Sequence, residues 1–374
     1  MITYTEKEFK SVLNVRKSIN NWFWDKYSIN PYNGCQFGCV YCDSRSAKYN
    51  LPDDFENNII IKKNIDKLLD KRLTNARTLL QDVIGIGGTT DPYQAAESKF
   101  KNTEKCLEII LKHSYPVHIA TKSPLVLKDI DIINEIGKNT WATVSVTITT
   151  IDNNVSSFLE NRVPLPKTRF NIIKTIKEKA KYIQAGILFM PIVPFLCDSE
   201  KNIREVIKKA KECKADYVLF GSGMTMRDIQ ALWFLKHLKE RYPHLIPKYE
   251  KLYNFKYNEK EYRGSYEPVS YYYEKPIKLF IKYAKEYKIN WRIKRFIPED
   301  YRKYNYIISE KLFNISYERQ ITGRHWDAFF WAAYNIQNLK ESIIDIAKRG
   351  ELKKIRSVGD KIAKYIISVI EDIT

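Results

Sequence analysis

NPYNGCQFGCVYCDSRS, residues 30–46, places three of the chain's six cysteines within eight positions. Cys35, Cys39 and Cys42 follow the spacing Cys-x3-Cys-x2-Cys, punctuated by Gly34 and Gly38. Glycines let a backbone fold tightly around a bulky object. Three soft thiolates from one loop suit an iron–sulfur cluster better than a hard cation. A four-iron cluster held by only three cysteines leaves one iron open, much as catalytic metal sites keep a free position. Zinc is the rival reading, although structural zinc prefers four ligands. The other cysteines, Cys106, Cys197 and Cys213, are single and dispersed, and no nearby His completes a set. Coincidental core cysteines are the third reading.

Outward from this loop, β-branched runs at 27–30, 82–87, 117–121, 142–147, 183–190 and 217–220 alternate with amphipathic helical patterns. Those patterns fall at 64–71, 98–113, 127–136, 167–181 and 200–213. The alternation reads as parallel βα units. Six units predict an α/β fold, a partial (β/α)6 TIM-like barrel over residues 1–223 with a C-terminal helical extension. In such barrels the chemistry sits at the C-terminal ends of the strands. The segments NGCQFGCVYCD, GGTTDPYQ, TKSP and MPIVPFLCD each follow a strand. From about residue 224 the chain becomes helical and rich in Tyr, Trp and Lys, which predicts an extension over 224–341 completing the substrate cleft. Residues 342–374 read as a compact helical element of their own.

The 374 residues carry 63 Lys and Arg against 44 Asp and Glu, a net charge of +19. That balance favours a polyanionic partner, nucleic acid first. Codon bias in an A/T-rich genome would also enrich Lys, Ile, Asn and Tyr, so local clustering has to decide. No apolar run reaches the ~18 residues of a membrane span, and MITYTEKEFK lacks a signal-peptide pattern. The expectation is a soluble, cytoplasmic protein with reduced thiols and no membrane partner.

The cysteine motif, with Tyr41 before its last cysteine and placed after the first strand of a six-unit βα chain, resembles the radical SAM superfamily. INPYNGCQFGCVYCDSR, GTTDPYQAAE, IATKSPLVLKDID, VSVTI, LENRVPLP and MPIVPFLCDSE, in that order, are similar to the spore photoproduct lyase-like branch, related to DNA repair photolyases. The resemblance covers roughly residues 10–340. It implies a [4Fe–4S] cluster on Cys35, Cys39 and Cys42, S-adenosylmethionine chelated to the open iron, and an electron donor such as ferredoxin or flavodoxin. It further implies reductive cleavage of the S–C5′ bond and hydrogen abstraction from substrate by a 5′-deoxyadenosyl radical. By motif position Gly87, Gly88 and Asp91 would meet the methionine amino group, Lys122 its carboxylate, and Tyr41 would line the cofactor. Ser145 and Thr147 share one strand face and would bond ribose or carboxylate. Arg162 is a second carboxylate candidate, and Met190 would pack near adenine. Asp91 also suits a helix cap, Lys122 a solvated strand end, and Ser145 and Thr147 ordinary strand positions.

One departure matters. True spore photoproduct lyase has a cysteine at the end of the second strand, before a Thr-Ser-Asp run, that returns a hydrogen atom to the product radical. Here Gly88 stands in that place. Cys197, after the fifth strand, is the substitute thiol, with a passive loop cysteine as the alternative. Tyr271 and Tyr272, in the Tyr-heavy stretch 253–273, could stack on a base or relay electrons. Cys106 and Cys213 lie in helical patterns and read as core.

Residues 275–303 hold ten basic and three acidic side chains among Phe280, Tyr283, Tyr287, Trp291 and Phe296. Such interleaving suits a nucleic-acid groove. Ile277, Phe280, Ile281 and Ala284 share a helical face and read as core, which leaves Arg292, Lys294 and Arg295 as contact candidates. Residues 343–372 resemble a helix-hairpin-helix element, with its turn at Ser357-Val358-Gly359-Asp360 and with Ile362, Ala363, Ile366 and Ile367 inside. That resemblance implies backbone N–H groups at Ser357 and Gly359 offered to a phosphate. Lys361 and Lys364 would add affinity without sequence preference. The combined expectation is a radical SAM enzyme acting on DNA, by lesion reversal or base modification. A radical SAM maturase acting on a protein or peptide, and a non-enzymatic iron–sulfur nucleic-acid binder, stay open as alternatives.

Overall fold

The β-branched runs pair side by side in the computed structural model, which describes every residue except 53, 76–78, 222, 270 and 374. The strands are Tyr27–Ile29 (β1), Ile84–Ile86 (β2), Val117–Thr121 (β3), Ala142–Thr147 (β4), Ile183–Phe189 (β5) and Val218–Phe220 (β6). Successive strands are sheet neighbours, and each pair is parallel. Asn14–Val15 adds antiparallel at the outer edge of β1. The helices Ile65–Thr74, Asn102–Lys112, Ile130–Asn139, Pro166–Lys179 and Glu200–Glu212 fill the intervals between strands. The fold is therefore α/β, a partial (β/α)6 barrel followed by helices.

Strand periodicity sorts the side chains. Val117, Ile119, Val144, Val146, Ala185 and Ile187 join one apolar cluster with Leu107, Ile110, Ile133, Ile136, Ile173, Ile176, Ile203 and Ile207 of the flanking helices. Each such side chain removed from water contributes about 1.5–3 kcal/mol. Several alternate positions are polar, among them His118, Thr143, Ser145 and Gln184. Ser145 Oγ lies 2.8 Å from His118 Nε2 and 2.6 Å from the Tyr217 hydroxyl, and Gln184 Nε2 donates to Thr143 Oγ1 at 3.1 Å. Because all six strands run the same way, everything that follows a strand emerges at one end of the sheet.

A second sheet has no counterpart in the sequence expectations. Thr3–Lys7 pairs parallel with Asn58–Lys62, which also takes Tyr32–Asn33 antiparallel. Thr3–Lys7 is exposed along its whole length, so it carries no apolar alternation to read. Its sheet anchors Tyr32–Asn33, the residues that lead into the cysteine loop.

The chain divides into two compact units. The first comprises Met1–Arg16 and Asp25–Ile293, the second Lys17–Trp24 and Lys294–Thr374. The division thus falls after residue 293, whereas the sequence suggested 223 and 341. The helix Glu274–Glu286 packs on Glu200–Glu212 and belongs with the barrel. The second unit contains the helices Lys303–Ile321, Asp327–Gln337, Ile343–Lys348 and Asp360–Ile373. Among the described residues no helix is long and apolar enough to cross a membrane.

Candidate functional site

The loop after β1 is fastened from several sides. Gly34 has φ +87°, and a Cβ there would come within 2.4 Å of the Asn58 carbonyl oxygen, so no other residue fits without a shift. The Cys35 N–H donates to Phe55 O at 2.9 Å, and Val40 N–H to Leu159 O at 2.9 Å. Two glutamines lace this loop to the one after β2. Gln36 N–H donates to Gln94 Oε1 (2.9 Å), Gln94 Nε2 to Gly34 O (3.0 Å) and Ala96 N–H to Gln36 Oε1 (2.7 Å). Ser44 Oγ adds a bond to Thr89 O at 2.7 Å. The sequence analysis passed over Gln36 and Gln94. Their only signal was two buried amides within motif segments.

Cys35 and Cys39 are buried and Cys42 half-buried, and the three thiols feel one another electrostatically. Burial, helped by the Asp91 charge, pushes the Cys35 thiol up to about 12. Burial raises Cys39 as well. Thiolates in so dry a place need a cationic core beside them. Among the described residues no three His, Cys, Asp or Glu side chains converge on a single-ion site. Three soft thiolates offered from one loop suit a polynuclear iron–sulfur cluster, with one iron per thiolate. The donor set therefore fits a [4Fe–4S] cluster.

The next strand ends close the site. Gly87, after β2, has φ +100°, and a Cβ on it would fall 2.3 Å from the Ala120 carbonyl oxygen, while Gly88 faces open space. Asp91 is buried and engaged by the protein's own donors. Its carboxylate accepts from Tyr93 N–H (2.9 Å), Thr121 Oγ1 (2.7 Å) and Lys122 N–H (2.7 Å). These bonds span its own turn and the loop after β3, and burial pushes its carboxyl upward. Lys122 is not a solvated strand end. Its Nζ lies 5.8 Å from the Tyr41 ring centroid. Burial opposes its charge, but Cys39, Glu160, Asp91 and Cys42 together hold the ammonium above its ordinary value.

Beneath Tyr41 lies a charged pair that the sequence analysis missed. The buried Tyr41 hydroxyl donates to Glu160. Arg169 Nη2 stands 2.6 Å from Glu160 Oε2, with both side chains fully buried. Arg169 also donates to Thr147 O and Ser156 Oγ, each at 2.9 Å. The motif LENRVP had singled out Arg162 instead. Arg162 is exposed and donates to Asn57 Oδ1 at 2.8 Å, on the surface. The available signal was Arg169 itself, a charge on the helical face of Ile172, Ile173 and Ile176.

Ser145 is corrected in the same way, since its hydroxyl is engaged by His118 and Tyr217 in the barrel interior. Burial pulls His118 down to about 3, so that imidazole is neutral. Thr147 and Met190 are half-buried at the ends of β4 and β5. Thr149, two residues beyond β4, is buried beside Cys197. Cys197 is fully buried in one apolar cluster with Cys35, Cys39 and Tyr41. Burial pushes its thiol upward, which keeps the S–H intact. Beside it in sequence, Asp198 accepts from the Tyr272 hydroxyl, which itself accepts from Phe195 N–H at 3.2 Å. Tyr271 is 66% exposed and stands apart from that arrangement. Cys106 and Cys213 are core, as expected.

The nucleic-acid candidates divide. Phe280 and Ala284 are core and Ile277 and Ile281 pack against it, as periodicity suggested. Arg292 is 9% exposed and Arg295 only 2%, so neither is a surface contact. Arg295 donates to Ser309 Oγ (2.8 Å) and Gln337 Oε1 (3.1 Å) and lies 3.8 Å from the Tyr306 ring centroid, an anchor within the second unit. Lys294 is exposed. In the tail, Ser357 has φ +67°, and Ser357, Gly359, Lys361 and Lys364 are exposed. Ile362, Ala363 and Ile366 face inward, but Ile367 is 46% exposed and Val369 takes the inner place. Positions 362, 366 and 369 follow the helical repeat that 367 breaks.

Residues 29–200 match the model of the Radical SAM superfamily. Uncharacterized protein Rv2578c of Mycobacterium tuberculosis is 27% identical over 275 residues, spanning 72% of this chain and 77% of that protein. Uncharacterized protein MJ0683 of Methanocaldococcus jannaschii is 30% identical over 181 residues, spanning 48% and 65%. A solved structure of spore photoproduct lyase complexed with dinucleoside spore photoproduct is similar with a TM-score of 0.57 and 15% identity, covering 76% of this chain and 79% of that one. At that identity the likeness is one of fold.

Proposed function

We propose, from the premise that residues 29–200 form a radical SAM domain, that this chain is a radical SAM enzyme acting on DNA. Lesion reversal and base modification are the two reactions that fit. The observation carrying the reading is the meeting of three neighbouring thiols, two of them buried, the Lys122 ammonium and the open space over Gly88 at adjacent strand ends. Cys35, Cys39 and Cys42 would hold the [4Fe–4S] cluster, with S-adenosylmethionine beside it. When bound, that pair supplies one-electron chemistry that ends in hydrogen-atom abstraction.

The chain's own residues bind, orient and shield. Gly88 would admit close backbone approach of the methionine group, and the Lys122 ammonium would meet its carboxylate. Glu160 and Arg169 fix the Tyr41 hydroxyl, so the wall behind Cys39 stays rigid and dry. Thr147, Thr149 and Met190 line the same strand ends. Cys197 keeps its hydrogen and would return one to a product radical, with Tyr272 and Asp198 as its neighbours. Lys361, Lys364 and the Ser357–Gly359 turn would hold phosphates, and a target base in a duplex would have to leave the stack. The electron would come from a ferredoxin- or flavodoxin-type donor.

The test is anaerobic. Reconstituted, reduced protein is given S-adenosylmethionine and either ultraviolet-irradiated or untreated DNA, and 5′-deoxyadenosine is quantified. Release that rises with irradiated DNA is the expected result. Release indifferent to any DNA would overturn the substrate assignment and favour a peptide.

A further inference from the structure

We propose that the second unit carries a stacking platform for unpaired bases of DNA, centred on Trp331. The inference rests on the reading that the chain acts on DNA. Helix Asp327–Gln337 buries Ala332, Ala333 and Ile336 against Lys303–Ile321. On its other side Trp331 leaves 51% of its surface exposed. A large aromatic presented this way marks a contact surface when others gather around it. They do so here. The rings of Trp326, Phe330, Trp331 and Tyr334 form successive edge-to-face contacts at 5.7, 5.2 and 5.6 Å. Such contacts hold the Trp331 indole in one orientation.

Basic side chains flank this helix, against Asp327 in its first turn. Arg319 lies 5.1 Å from the Phe329 ring centroid, and Arg324 is exposed at the turn before the helix. Asn335, one helical turn beyond Trp331, donates its Nδ2 to the Arg356 carbonyl oxygen at 2.7 Å. That bond fixes the residue preceding the Ser357–Gly359 turn beside the aromatic face. Side chains four apart on a helix are about 5–6 Å apart, so an indole face and a phosphate-binding turn are presented together. Gly359 has open space around it. A base offers its π-face to an indole only when it is unstacked, which selects single-stranded or locally opened DNA over intact duplex.

Fluorescence anisotropy of the full chain with a labelled oligo-dT, a duplex of equal length and an oligo-U tests this. The proteins compared are the parent, Trp331→Ala, Trp331→Phe and Lys361→Ala/Lys364→Ala. Trp331→Ala is expected to weaken oligo-dT binding about tenfold, with duplex binding and the salt slope unchanged. Trp331→Phe, which keeps a ring and the packing, is expected to restore most of the loss and so separates stacking from folding. The double lysine variant is expected to weaken both DNAs and flatten the salt dependence. Parent-like oligo-dT binding by Trp331→Ala would overturn the platform while leaving the DNA reading intact. Oligo-U bound more tightly than oligo-dT would overturn the choice of DNA. A changed oligomeric state at unchanged DNA affinity would make Trp331 a contact between copies. Failure of the parent to bind any nucleic acid would remove both the platform and the reading beneath it.

Discussion

At the residue scale, the site depends on a few buried groups that have no substitute nearby. Arg169 and Glu160 neutralise each other where water is excluded. Arg169→Met leaves the Glu160 carboxylate unpaired and is expected to cost about 3–5 kcal/mol in urea denaturation. An unchanged midpoint would contradict the pairing. His118 supplies a pH test. Its unfolded value is 6.5 and burial lowers the folded value to about 3. Between those limits the unfolded chain holds a proton that the folded chain lacks. Stability therefore falls as pH drops through that window, by up to about 1.4 kcal/mol per pH unit. His118→Gln, which keeps a polar partner for Ser145, is expected to flatten that limb of the stability–pH curve. The cluster cysteines were legible in the sequence because all three ligands and their glycines lie in one short loop. The buried pair Glu160 and Arg169, and its hold on Tyr41, were not, because a buried charge finds its partner through tertiary packing. Arg162 looked equally basic on paper and went to the surface.

At the element scale, the barrel strands were legible to within a few residues. Strands covered on both faces are continuous β-branched runs, and their helices show clear apolar stripes. The small sheet built on Thr3–Lys7 was illegible for the opposite reason, since its exposed residues take their conformation from the partner strand. Between 275 and 303 the basic–aromatic composition misled, because Arg292 and Arg295 keep their charges inside. Helix Glu200–Glu212 offers a direct check on local structure. Ser199 Oγ accepts from Asn202 N–H at 3.2 Å and caps its first turn. Ser199→Ala is expected to lower stability by about 0.5–2 kcal/mol, read as a shift in the thermal midpoint. Since the cap stands close behind Cys197 and Asp198, Ser199→Gly, which costs only a few tenths, is the control for effects on the loop.

At the scale of the whole molecule, the thiol loop and the strand ends around it lie in the first unit and the helical tail in the second. The boundary between the units escaped the sequence analysis for a physical reason. Lys17–Trp24 joins residues from 294 onward, and a discontinuous unit leaves no shift in composition at one point of the chain. The account as a whole stands on one claim, that Cys35, Cys39 and Cys42 hold a cluster with an open iron at which S-adenosylmethionine is cleaved. The most direct test quantifies 5′-deoxyadenosine from anaerobically reconstituted, dithionite-reduced protein, with Cys35→Ala, Cys39→Ala and Cys42→Ala beside the parent. The account predicts release by the parent and none above background by any of the three variants. A parent that binds iron and sulfide yet releases no 5′-deoxyadenosine, or a variant that releases as much as the parent, would contradict it.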